Sequence, residues 1–202
     1  MIAARGHILQ LAGDAVRVVS TSAVVRGRKN PGHMKLPQRL RKARKSAGMN
    51  PTALSRAAGI GPSTASMIEA EVRLPRLPIV ERLADALHVS AGWLGFGSDL
   101  PWVPPQGDEM RCGGLAERAL AQRSLLGLSL REVDRRAAVA EGTIRSIERG
   151  TMPTIDTLEA LASALYVSPA WLAFGLGPME PKRRSSPVAH LESPSPGPGA
   201  AI

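Results

Sequence analysis

Few side chains in this 202-residue chain could support covalent or metal chemistry. Cys112 is the single cysteine, so neither an intrachain disulfide nor a multi-cysteine zinc site can form, and it reads as an inert thiol. His7, His33, His88 and His190 lie far apart and share no metal-ligand spacing. Ser124, Ser129 and Ser146 have no neighbouring histidine base and read as helix-surface or cap positions. "GLGP" at 175–178 reads as a helix terminator, and no glycine-rich phosphate loop or paired acid/base set occurs. The chain is therefore expected to be no enzyme, with no cofactor and no metal. What remains is charge. A net charge of +9 and a pI near 10.9 favour a polyanionic partner, nucleic acid ahead of an anionic membrane surface. No apolar run is long enough to span a bilayer, and Asp14 and Arg17 interrupt the one stretch that resembles a secretory signal.

The elements that must carry this charge come in two copies. "VSAGWLGFG" at 89–97 returns as "VSPAWLAFG" at 167–175, and four of the chain's six aromatic residues lie in these copies. The match extends upstream: Ile68 and Glu69 meet Ile147 and Glu148, and Gly48 meets Gly127, with one extra residue before Pro75. The duplicated unit spans 36–97 and 114–175. Each copy reads as five short helices, because apolar residues recur at helical spacing and strand signals are almost absent. Asn50-Pro51 and Ser129 open second helices, and Glu132 completes a capping box with Ser129. Ser90 and Ser168-Pro169 open the fifth helices. The expected architecture is all-α: two five-helix domains joined by a Pro/Gly-rich linker at 98–113, with a flexible basic extension at 1–35 and a disordered tail at 176–202. Met34, just before the first unit, is expected to be a start, with 1–33 an optional or misassigned extension; a basic targeting peptide is the alternative. Trp93 and Trp171 are expected to close the unit cores. Phe96 and Phe174 could serve the core or a docking surface between units.

"RLRKARKSAGMNPTALSRAAGIGPSTASMIEAE" and "AQRSLLGLSLREVDRRAAVAEGTIRSIERG" resemble the helix-turn-helix of the phage-repressor family, also called Cro-like or XRE. The resemblance covers about 120 residues and implies third helices at 62–69 and 141–148 that enter the major groove of double-stranded DNA. Carried over by position, it places Pro62, Ser63, Ser66 and Met67 of the first unit, and Glu141, Gly142, Arg145 and Ser146 of the second, against base edges. It places Asn50 and Ser129 near phosphates, with Arg41 and Arg76 as phosphate ligands; Thr154, the counterpart of Arg76, is a weaker one. It also implies structural ion pairs, Arg44 with Glu69 and Arg123 with Glu148, each 25 residues apart.

Neither unit follows the family's best base readers. Gln and Asn are missing from the leading positions, and Arg145 alone has a clear preference, bidentate to guanine. The first unit holds nine Lys/Arg against four Asp/Glu, +5, helped by a run of Arg39, Arg41, Lys42, Arg44 and Lys45; the second holds seven against seven, zero. Sequence-independent phosphate affinity is therefore expected from the first. Extended, the linker reaches on the order of 50 Å, enough for half-sites about 34 Å apart. The resemblance implies a transcriptional regulator, a repressor by expectation, in the cytoplasm of a bacterial or phage-encoded, nucleoid-associated setting. It acts as a homodimer or an intramolecular pseudo-dimer. The alternative is a non-catalytic interaction protein, antitoxin-like or anti-activator, binding a protein partner through the second domain.

Overall fold

The computed structural model describes residues 31–102 and 111–180. Residues 1–30, 103–110 and 181–202, which hold most of the expected extension and tail and the middle of the linker, lie outside the described residues. The described residues form ten α-helices in two sets of five. The first set is α1 (Leu36–Ser46), α2 (Pro51–Ala57), α3 (Thr64–Glu69), α4 (Leu77–Ala86) and α5 (Ala91–Phe96). The second is α6 (Leu115–Leu125), α7 (Leu130–Ala137), α8 (Thr143–Glu148), α9 (Ile155–Ala164) and α10 (Pro169–Phe174). None of these helices is long and apolar enough to cross a membrane.

Local chemistry explains most boundaries. The Asn50 side chain accepts from the Ala53 N–H at 2.7 Å, and the Ser129 hydroxyl accepts from the Glu132 N–H at 3.2 Å, so each satisfies an orphan donor of its helix. Gly48 and Gly127 end α1 and α6 with φ of 65° and 63°, a left-handed conformation in which glycine has no Cβ to clash. Two cap expectations need correction. Glu132 does not close the capping box; its carboxylate accepts from Arg136 Nη2 at 2.6 Å, one helical turn on. Ser168 occupies the N-cap position of α10 but makes no side-chain cap bond. Its backbone N–H instead donates to the Met179 carbonyl at 2.7 Å, which folds the start of the C-terminal segment back onto the unit.

A single apolar core runs through both units, including Leu40, Leu54, Ile68 and Leu94 of the first and Leu115, Ile144, Leu158 and Leu161 of the second. The units dock by reciprocal exchange. Leu77 N–H donates to the Pro153 carbonyl at 3.3 Å, and Ile155 N–H donates to the Pro75 carbonyl at 3.1 Å, so Arg76 and Thr154 form an antiparallel bridge. Phe96 meets its own counterpart Phe174, ring centroids 6.3 Å apart. The Glu159 carboxylate accepts the N–H groups of Gly32 and His33 at 2.8 and 3.0 Å, and His33 Nδ1 lies 2.8 Å from it. The equivalent Glu81 accepts the N–H groups of Arg111 and Cys112 at 2.7 and 3.2 Å. Residue i binding j′ while j binds i′ is the signature of a two-fold interface, here closed within one chain.

The expected boundaries shift accordingly. Gly32–Lys35 and Arg111–Gly114 are 3-10 turns, each packed on the other unit, rather than extension and linker. Gly32 and His33 precede Met34, so a chain beginning at Met34 would lack the contacts they make with Glu159. Trp102, at the start of the expected linker, sets its ring edge-on against His88 at 4.8 Å. Contact, rather than linker reach, fixes how the units sit. The aromatic echo divides the same way: Phe96 and Phe174 meet between the units, while half-buried Trp93 and Trp171 pack on the core.

Candidate nucleic-acid interface

Each third helix is held by its neighbour through one repeated position. In the second unit the Asp134 carboxylate of α7 accepts the N–H of Gly142 at 2.7 Å and of Ile144 at 2.9 Å, capping α8 from outside. In the first, Ser55 occupies that position, and its hydroxyl accepts the Ala65 N–H at 3.1 Å. Neither residue stood out in the sequence as a cap, since each lies mid-helix in the preceding element.

The other end of each third helix is pinned to the first helix. Arg44 Nε and Nη2 donate to the two Glu69 oxygens at 2.5 and 2.8 Å, and Nη1 donates to the Met49 carbonyl at 2.7 Å. Arg123 repeats this with Glu148 at 2.6 and 3.1 Å and with the Leu128 carbonyl at 3.0 Å. Hydrogen bonding to the paired carboxylate raises both guanidinium pKa values above the ordinary range. Bidentate geometry of this kind is directional as well as attractive.

With both ends fixed, the leading residues project into solvent. Pro62 and Ser63 lie in the turn before α3, and Glu141 and Gly142 in the turn before α8, so both helices begin two residues later than the 62–69 and 141–148 expected. Pro62, Ser63 and Ser66 are exposed and Met67 is half-buried. The Ser66 hydroxyl donates to the Ser63 carbonyl at 2.8 Å, and the Ser146 hydroxyl donates to the Gly142 carbonyl at 3.0 Å. Glu141 pairs with Arg131 of α7 at 2.8 Å, both exposed. Arg145 is exposed, and its side chain makes no hydrogen bond or ion pair among the described residues. Gly142 is half-buried at φ 86°, with its N–H committed to Asp134.

The basic run of α1 divides on inspection. Arg39 is not a surface charge: Nε donates to the Leu94 carbonyl, and Nη2 donates to Gly95 and Gly32, all at 2.7–2.8 Å. Burial lowers its pKa to about 10, so it stays charged near neutrality. Arg118 repeats the arrangement on Leu172, Ala173 and Arg111. Arg41 donates from Nη2 to the Glu69 carbonyl at 2.9 Å, although its side chain is 54% exposed. Lys42 and Lys45 remain as exposed charges on that helix. Asn50 and Ser129 both spend a side-chain oxygen on their own helices.

Arg76 stands in the central bridge. Its side chain joins Glu141, Arg145 and Thr154 around a cleft of about 480 Å³ beside α8. The two third helices each lead, within a few residues, to opposite sides of this one bridge. A profile of the helix-turn-helix family matches the chain twice, at residues 40–94 and 120–172, more than half its length. The chain belongs to the XRE-type helix-turn-helix family. Members of this family are DNA-binding regulators, and this tandem member holds two such units in one chain. The docking residues of this helix-turn-helix protein were legible only as coincidences between copies. Glu81 with Glu159 is such a pair, whose role the repeat alone did not reveal; Arg39 with Arg118 is another identical pair, each bonding carbonyls of its own fifth helix.

Proposed function

We propose that the protein is a sequence-specific transcriptional regulator that occupies an operator, acting as a repressor by blocking access rather than by catalysis. The observation that carries this is the paired presentation. Two recognition helices, each pinned at both ends, flank one pseudo-two-fold axis with their leading residues exposed. Arg145 supplies guanine recognition through bidentate bonds to O6 and N7. Pro62 offers apolar contact to a thymine methyl, and Ser63, Ser66, Met67 and Ser146 give permissive contacts. Lys42, Lys45, Arg76 and the exposed part of Arg41 anchor phosphates, with Asn50 and Ser129 at the helix starts. These contacts set register and salt dependence more than sequence.

Selection of random duplex DNA by the full chain at two salt concentrations tests this. An enriched motif that survives the higher salt, and loses its guanine preference in Arg145→Ala, is the expected result. Binding without enrichment that collapses at higher salt would leave only a basic surface. The uncharged balance of the second unit would then favour the interaction-protein reading, with a protein partner held there.

A further inference from the structure

We infer that a single chain reads a single non-palindromic duplex site, in one orientation, with a guanine-bearing half-site beneath the second unit. This rests on the DNA-reading function proposed above and specifies its ligand. Two observations lead to it. First, the self-complementary surface is already consumed. The Arg76–Thr154 bridge, the Phe96–Phe174 contact and the two carboxylate locks at Glu81 and Glu159 are all satisfied within the chain. An isologous surface that has closed on itself is not presented to a second copy. One chain is thus a complete two-headed reader.

Second, the two heads are chemically unlike at equivalent positions. Where the first unit has Thr52, Pro62 and Ser66, the second has Arg131, Glu141 and Arg145. Arg131 Nε lies on Glu141 Oε1, which places a cation against the Glu141 carboxylate. The Arg145 side chain spends no donor among the described residues, so its fork is available for a base edge. Ser66 has committed its hydroxyl proton to the Ser63 carbonyl and offers only an acceptor. A palindrome presents the same edges to both heads. It would therefore waste its second guanine on Ser66. Reversing the chain on its site would place Ser66 over the guanine and strand Arg145, so the two orientations differ by one bidentate contact. Such a contact discriminates by roughly 5- to 150-fold.

The test uses the full chain and the duplex enriched above, with two symmetrised versions, one carrying the first-unit half twice and one the second-unit half twice. Sedimentation should give one chain per duplex. The duplex with two first-unit halves should bind roughly 5- to 150-fold more weakly than the natural site, and Arg145→Ala should erase that difference. The duplex with two guanine halves should bind wild type no tighter than the natural site. Ser66→Arg should reverse this and prefer the doubled guanine site, a gain that misfolding cannot produce. Tightest wild-type binding to either symmetrised duplex, or two chains on one site, would overturn the inference while leaving DNA reading intact. Absence of any enriched duplex would overturn the proposed function and this inference with it.

Discussion

At three exposed positions around the second and third helices the first unit places Thr52, Pro62 and Ser66, and the second places Arg131, Glu141 and Arg145. Elsewhere the balance inverts. With those three positions set aside, the first unit carries +5 and the second −1. Beneath both lies the same framework: an Arg–Glu fork from the first helix to the end of the third, an arginine on the carbonyls at the end of the fifth, and a carboxylate gripping the other unit. Duplication has thus kept the positions that hold helices in place and released those that face outward. A protein can divide phosphate attraction and base discrimination between two copies of one scaffold, provided the parts beneath remain common.

The largest expected effect attacks the shared framework. Glu69→Ala leaves Arg44 buried without its carboxylate and should cost about 3–5 kcal/mol in urea unfolding. Glu148→Ala should cost less, because the Arg123 side chain is 18% exposed against 11% for Arg44. Equal losses would show that this difference in burial carries no energetic weight. Next comes the docking itself. A Cβ at Gly92 would lie 2.7 Å from Ser98 Oγ and 3.0 Å from the Ala170 Cβ, its counterpart across the interface. Gly92→Val should weaken docking by about 1–3 kcal/mol through overpacking. Cys112 reports it: burial, then Glu81, pushes its thiol pKa up to about 12, so it stays protonated and shielded while docked. Modification by a disulfide reagent should be slow in wild type and faster in the variant.

Capping gives a smaller contrast. Asp134→Ala releases two N–H groups of the α8 start and Ser55→Ala releases one at α3. Both should fall within about 0.5–2 kcal/mol, with Asp134 the costlier. Thermal unfolding that ranks them the other way would locate the second unit's helix stability elsewhere. The smallest effect is a pH dependence. Burial disfavours charge on Glu159, but the His33 ring and the N–H groups of Gly32 and His33 outweigh it, leaving its pKa below the ordinary value. The folded value lies under the unfolded one, about 4.3, so the stabilisation is complete above the unfolded value. It is lost as pH falls through the folded value. Glu159→Gln should flatten the acid limb of the stability profile measured by denaturation between pH 3 and 7. An unchanged limb would assign it to other carboxylates.

The helices and their order were readable because caps, turn glycines and apolar spacing act over a few residues. Asn50, Ser129, Gly48 and Gly127 each state a boundary in local chemistry. The residues leading each third helix come from the family resemblance, carried over by position; Pro62, Ser63, Glu141 and Arg145 are exposed there. Docking was not legible, because its contacts join residues as distant as Gly32 and Glu159 through backbone N–H groups that carry no sequence signature. Arg39 misled for a related reason. In a string of basic residues a buried guanidinium looks like its exposed neighbours until the carbonyls it caps are in place. Phe96 and Phe174 sat at spacing equally suited to core and interface, and only their meeting decides.

The interface closed by α5 and α10 also sets how the protein responds to its own abundance. A regulator assembled from separate copies must first associate, so halving its concentration more than halves its active form, and its dose response steepens. Here the two halves are supplied together and meet at a local concentration fixed by the chain. On the proposed reading of one site by one chain, occupancy rises as a simple hyperbola with the number of molecules, graded rather than switch-like. Dilution at cell division then lowers occupancy at most in proportion, and by less as the site saturates.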